Sequence, residues 1–165
     1  MSVAALQRQL AESAVGDVDL RSYLKQLCQS LGASMIESHE RVTLTATSDD
    51  SRVEANKSVS IGLVVTELVI NALKHAFPDS RSGHIGVDYS SRGRDWTLAV
   101  SDNGVGMPAN DAAVAGLGTN IVNALARHLD AEVRVTDAHP GTRVAMVHTE
   151  PAGDADDADR QEAAV

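Results

Sequence analysis

Glu67-Leu68-Val69-Ile70-Asn71-Ala72-Leu73-Lys74-His75-Ala76-Phe77-Pro78 is the stretch on which the reading of this chain turns. Offsets of four, seven and eight set Glu67, Asn71, Lys74 and His75 on one side of a helix, while Leu68, Ile70, Leu73 and Phe77 supply apolar surface. The helix is expected to begin near Ser58 or Ser60 and to stop at Pro78, whose ring ends helices. An Asn oxygen suits a hard cation, Lys and His meet phosphate oxygens, and Glu orients water or metal-bound ligands. The stripe therefore holds parts for Mg-assisted phosphoryl chemistry. A plain amphipathic surface helix accounts for the same four residues, so the stripe alone leaves both readings open.

Downstream, Ile85, Val87 and Tyr89 alternate with polar neighbours, as do Trp96, Leu98 and Val100. They predict two adjacent antiparallel strands across Ser90 to Asp95, with a turn longer than an ideal hairpin loop. The second strand runs into Asp102-Asn103-Gly104-Val105-Gly106-Met107. A carboxylate there can accept from a base amino group, and paired glycines let the chain approach a flat ring; an Asp-rich turn gives the same letters. Gly116-Leu117-Gly118-Thr119-Asn120 then precedes a helix reaching about Leu129, offering backbone amides to a phosphate. The third glycine of a dinucleotide fingerprint and the Gly-Lys-Ser/Thr end of a P-loop are both missing. Val133 and Val135, then Val144 and Val147, complete the expected sheet, with Pro140 and Gly141 in their connection.

Upstream, Val42, Leu44 and Ala46 alternate with Thr43, Thr45 and Thr47 as a half-buried strand, and the polar segment after it through Lys57 reads as a connection. Asp19 can cap a helix to about Ala33 whose stripe is Leu20, Leu24, Leu27 and Leu31. Val3 to Ser13 has helical polarity, with Leu6 and Leu10 four apart. Together these elements predict an α+β fold, a two-layer α/β sandwich with a mixed sheet and helices on one face.

Composition narrows the function. The chain has 165 residues, enough for one domain, and is 43% apolar with only 2% aromatic residues. Base-stacking platforms of the single-strand-binding kind have almost no material here. Fourteen Lys plus Arg against 23 Asp plus Glu give a formal charge of -9, which opposes nucleic acid and anionic membranes but admits a small nucleotide neutralised by a metal and local donors. Residues 153–165 read as an acidic disordered tail. Removing its five acids and Arg160 leaves 18 acids against 13 bases, a body charge of -5. Cys28 is the single cysteine and sits on the leucine stripe, as an inert core thiol would. No apolar stretch is read as approaching the roughly 20 residues of a membrane span, and no signal region is evident.

The ordered set from about Asp19 to Thr149 resembles the ATP-binding catalytic domain of bacterial sensor histidine kinases, most closely the HisKA_2/HWE-like type, in the superfamily that includes gyrase, Hsp90 and MutL. The resemblance implies a Bergerat-type ATP-binding fold. It also implies an N-box at Glu67 to His75 and glycine boxes at Asp102 to Gly106 and at Gly116 to Gly118. By the same resemblance Asp102 reads adenine, Asn71 coordinates Mg, Lys74 and His75 lie near the phosphates, and Glu67 orients metal or water. Gly104, Gly106, Met107, Gly116, Leu117, Gly118 and Thr119 surround the nucleotide, and Thr142 helps beside adenine. The cofactors implied are ATP and Mg, with Mg arriving on the nucleotide. Between the boxes lies a short lid, including Met107, Pro108, Asn110, Asp111 and Ala115; Met107 is read as an apolar wall or loop anchor.

A complete kinase of this type carries a phosphoacceptor histidine in a preceding helical hairpin, usually within His-Arg-Val-Lys-Asn-Asn, and that motif is missing from these residues. His39, His84, His128, His139 and His148 lack the acceptor context and a metal-ligand spacing. Residues 1–17 are accordingly read as the remnant of a dimerisation-hairpin helix and linker, 18–150 as the catalytic domain and 151–165 as the tail. An excised fragment, a misassigned start and a natural short protein all fit. The expected function is a cytoplasmic ATP-binding catalytic domain, with an acceptor hairpin in the full-length kinase or in trans and a response regulator as partners, and a homodimer as one arrangement open to it. A phosphotransfer adaptor or regulatory domain derived from the kinase, and an anti-sigma-type serine kinase, are the other classes open to it.

Overall fold

The computed structural model describes residues 16–38, 40–106 and 117–151, the side chains of 117–119 excepted. The expectations placed on the helix at Val3 to Ser13, on His39, on the lid residues 107–116 and on the tail beyond Pro151 lie outside the described residues.

Strand β1 (Asp17–Asp19) leads directly into helix α1 (Leu20–Met35). Asp19 stands at the N-cap position without a side-chain bond to a helix amide, its carboxylate accepting instead from the Ser22 hydroxyl at 2.7 Å. Leu20, Tyr23, Leu24, Leu27, Cys28 and Leu31 form its buried stripe. Burial pushes the Cys28 thiol up to about 12, so it holds its proton at neutral pH and packs as a small apolar group.

After strand β2 (Val42–Ser48), the segment expected to be a connection is a strand and the start of a helix. Strand β3 (Arg52–Glu54) pairs antiparallel with β1, bringing Val18 opposite Val53. A three-residue strand with charged ends shows no alternation along the chain, because its only apolar member answers to a partner more than thirty positions away. Helix α2 (Ala55–His75) then begins before either serine. Ser58 and Ser60 are buried inside it, donating to the Ala55 and Asn56 carbonyls, so their hydroxyls are satisfied without capping anything.

The hairpin of β4 (Gly83–Arg92) and β5 (Asp95–Asp102) is tight, not long. Gly93, at φ 62°, and Arg94 turn it, and Ser90 to Arg92 extend the ladder into solvent. Helix α3 (Leu117–His128) and strands β6 (Glu132–Asp137) and β7 (Thr142–His148) follow. The five-stranded sheet runs β2-β4-β5-β7-β6, with β2 and β4 parallel and the other pairs antiparallel.

One aliphatic core joins α1, α2 and α3 to a single sheet face through Ile85, Val87, Leu98, Val100 and Met146. On the opposite face Thr43 and Thr45 hold the two ring nitrogens of His84, and Arg143 donates to Ser101 at 3.0 Å. This is the mixed two-layer sandwich expected. Helix α2 is 21 residues long with a window of mean hydropathy 1.2, long and apolar enough by length and composition to cross a membrane, which corrects the reading that no stretch approaches a span. Half of that window is buried in the domain, where Val64, Val65, Leu68, Val69 and Ala72 join the core.

Tyr23 and Gly62 meet where α1 crosses α2: a Cβ on Gly62 would lie 1.8 Å from the Tyr23 hydroxyl. That buried hydroxyl has no hydrogen-bond partner among the described residues. Tyr23→Phe removes an unpaired polar group and keeps the ring, so it is expected to raise unfolding stability by about 1 kcal/mol in urea titration. A loss of stability would mean that the hydroxyl is satisfied in solution.

Candidate functional site

Strand β5 ends beside the last turn of α2, and the turn after it is shaped by backbone contact. Asn103 extends the β4 pairing: its amide donates to the His84 carbonyl at 3.2 Å and its Oδ1 accepts from the His84 amide at 2.7 Å. The Val105 amide donates to the Ala76 carbonyl at 2.9 Å. Gly104 lies buried between them, where a Cβ would stand 2.2 Å from the Ala76 oxygen. Only glycine lets the strand end rest on the helix end this closely.

From the other side comes the β6–β7 connection. Gly141 is buried with φ +99°, and a Cβ there would fall 1.9 Å from the Asp102 carbonyl oxygen. This approach carries the Thr142 amide to Asp102. The Asp102 Oδ1 accepts from the Gly104 amide at 2.9 Å and from the Thr142 amide at 3.3 Å. Two amides from separate segments thus fix one carboxylate oxygen, while Oδ2 has no hydrogen-bond partner among the described residues. A half-buried carboxylate held in this way presents one oriented acceptor to an N–H donor. Gly106, at φ +77°, turns the chain beside Gly141.

Helix α2 supplies the second half. Its core residues fix its rotation and leave Glu67 and Asn71 half-buried, with Lys74 and His75 exposed in the last turn. Among the described residues none of the four side chains makes a hydrogen bond or ion pair. Leu73 and Phe77 pack against the core as expected, but Ile70 does not.

The structure therefore brings Asp102, Gly104, Gly106 and Thr142 together at the end of the helix that bears Asn71, Lys74 and His75. Met107 and Gly116 lie outside the described residues. Leu117, Gly118 and Thr119 form the first turn of α3 instead of preceding a helix, so their backbone sits where free helix amides occur. Two surface hollows elsewhere, one beside Arg21, Lys25 and Thr47 and one beside Arg127, Glu132 and Arg134, include none of these residues.

Sequence reasoning missed Ala76; the family resemblance put Asn103 in the first glycine box and Gly141 with Thr142 beside adenine, but not the contacts that the two residues make. Glycine after Pro140 signalled a turn; that the turn presses on Asp102, some forty positions earlier, is not visible along the chain.

A family model described as Histidine kinase-, DNA gyrase B-, and HSP90-like ATPase matches residues 56–152, from α2 through β7. "Blue-light-activated histidine kinase 2" of Erythrobacter litoralis (strain HTCC2594) is 32% identical over 130 residues, which are 77% of this chain and 37% of that protein. The chain thus spans well under half the length of this curated relative. Among solved structures, the histidine kinase domain from Erythrobacter litoralis EL346 blue-light activated histidine kinase superposes with a TM-score of 0.76 at 28% identity, covering 88% of this chain and 70% of that one. Acinetobacter baumannii histidine kinase AdeS shares the fold at a TM-score of 0.66 and 12% identity, covering 91% of this chain and 76% of that one. With a family match over more than half its length, the chain belongs to the histidine kinase-, DNA gyrase B- and HSP90-like ATPases, as a catalytic domain of the histidine-kinase type.

Proposed function

We propose that this domain binds Mg-ATP at the junction of α2, β5 and the β6–β7 connection, and presents the γ-phosphoryl group to a histidine of an acceptor hairpin. The observation that carries the reading is Asp102, whose Oδ1 is held by the Gly104 and Thr142 amides while Oδ2 has no partner among the described residues. That oxygen accepts the adenine amino group, and Thr142 supports the base edge. Gly104, Gly106 and Met107 shape the base surroundings. Gly116, Leu117, Gly118 and Thr119 line the phosphate side at the start of α3.

The donor set of α2 fits the rest of the substrate. The Asn71 amide oxygen is a hard ligand without a partner among the described residues, and Lys74 and His75 are exposed donors one helical turn along. Magnesium carried in with ATP neutralises charge on the phosphate oxygens. Lys74 and His75 orient the triphosphate, and Glu67 holds water or a metal-bound ligand. The acceptor imidazole nitrogen bonds to the γ-phosphorus as the bond to the β,γ-bridging oxygen breaks, leaving ADP and phosphohistidine. An aspartate of a response regulator then takes the phosphoryl group. The hairpin comes from the full-length kinase or in trans, and the assembly works in the cytoplasm.

Asn71→Ala tests the metal assignment. Calorimetric titration of ATP with and without Mg should show that Mg tightens binding to the wild-type chain, and that the variant loses most of this gain while binding metal-free ATP within about twofold of wild type. An undiminished Mg effect would remove Asn71 from the metal.

A further inference from the structure

Strand β5 ends at Asp102, and two residues later Gly104 lies against Ala76 at the end of α2, so the intervening Asn103 sets the turn between them. Asn103 directs both its amide and its side-chain oxygen at one partner. The amide donates to the His84 carbonyl at 3.2 Å, and Oδ1 accepts from the His84 amide at 2.7 Å. Following the Ile85–Asp102 pair of the antiparallel ladder, the second of these bonds would ordinarily go to a main-chain carbonyl. Here the carboxamide takes that place, so a side chain completes the pairing while the main chain turns toward α2.

The partner is itself fixed. The two ring nitrogens of His84 meet the Thr43 and Thr45 hydroxyls at 2.8 and 3.2 Å, and the Gly83 amide donates to the Arg41 carbonyl at 2.8 Å. Three bonds thus tie the start of β4 to β2 and the residue before it. The end of α2 reaches the same point. A Cβ on Gly83 would lie 2.0 Å from Phe77 Cε1 and 2.7 Å from Asn103 Oδ1, so the ring and the carboxamide both rest on that glycine. Phe77 follows Lys74 and His75, the last-turn residues of α2, by two or three positions. One junction therefore registers the Asp102 turn against the helix that bears them.

We infer that Asn103 is a positioning residue for base selection: clamped on His84, it holds the Gly104 amide, and with it the Asp102 carboxylate, at the angle where Oδ2 meets an adenine amino group. The inference rests on the base-reading role proposed for Asp102. With its amide and Oδ1 engaged on His84, Asn103 acts through the turn and not on the base. A hydrogen-bonding site discriminates by having its acceptor held in place, so loosening this turn costs discrimination before it costs general affinity.

The test titrates ATP and purine riboside triphosphate, which lacks only the 6-amino group, into the full chain in the presence of Mg. The wild type should prefer ATP by about tenfold or more. Asn103→Ala, and Asn103→Leu, which fills the space beside Phe77 without an acceptor, should bring that preference to about twofold or less while binding the purine analogue within about twofold of wild type. Asn103→Asp keeps the acceptor oxygen. Its added charge weakens both nucleotides alike, and its preference for ATP should stay near that of the wild type. A merely structural role would lower both affinities together and leave the ratio standing. Preference kept in the Ala and Leu variants, or lost in the Asp variant, would overturn the inference and leave Asp102 on the base. A wild type without preference would remove the base reading itself, and the inference with it.

Discussion

Asp102→Asn is expected to weaken ATP binding by about 10- to 100-fold while leaving the fold intact. The asparagine carbonyl can take over the Oδ1 position and keep both amides, Gly104 at 2.9 Å and Thr142 at 3.3 Å. The NH2 group then stands where Oδ2 stood, so a donor faces the adenine amino group, also a donor. A hydrogen bond to a charged acceptor contributes about 1.5–3 kcal/mol, and each 1.4 kcal/mol is about tenfold in affinity. Asp102→Ala removes the base contact and both amide acceptors together. It should lose at least as much affinity and also stability, so the Asn variant separates recognition from scaffolding. Calorimetry for affinity and circular dichroism for the thermal midpoint distinguish the two.

Gly104→Ala and Gly141→Ala should each cost about 3 kcal/mol of stability or more, lowering the melting temperature by about 10 °C. At Gly104 the new carbon would stand 2.2 Å from the Ala76 carbonyl oxygen, and at Gly141 1.9 Å from that of Asp102. Both obstacles are backbone, so no side chain can swing aside. Gly141 adds the strain of φ +99° for an L residue. Because each clash lies on the contact that assembles the site, nucleotide binding should fall with stability. Gly93→Ala is the comparison: its φ of +62° is also left-handed, but nothing lies within 4 Å, so only about 1–2 kcal/mol of backbone strain is expected. Melting curves that place all three variants together would show that close approach is not what those glycines provide.

How far the chain could be read follows from which contacts are local. Helix α2 announced itself through periodicity, and Pro78 marked its end within a few residues, since both signals lie inside one segment. The alternation of Val42 to Thr47 likewise marked β2, which is half-buried on one face only. Strands β1 and β3 stayed hidden because three residues carry no period, and Val53 became legible only once paired with Val18. The tight Gly93-Arg94 turn was obscured by polar strand ends that project past the core. Ile70, counted with the apolar surface of the helix, lies outside the core, which Val64, Val65, Leu68 and Val69 fill.

For the site, residue types and order were legible while their mutual geometry was not. Asp102 and Thr142 meet through a register set by β5 and β7, and no spacing rule connects them. Asn103 acts through its amide and its Oδ1 on His84, and Gly141 through close backbone approach, contacts that leave no compositional trace. The roles given to Glu67, Asn71, Lys74 and His75 came from family resemblance joined to donor chemistry, and the structure adds that the last turn of α2 adjoins the Asp102 turn through Ala76 and Val105.

The central claim is that Asp102 reads the base of a bound Mg-ATP. Side-by-side titration of Mg-ATP into the wild-type chain and Asp102→Asn, at equal thermal stability, tests it most directly. One saturable site in the wild type, weakened about 10- to 100-fold in the variant, is the predicted result. Equal affinity in the two proteins, or no saturable site in the wild type, would contradict it.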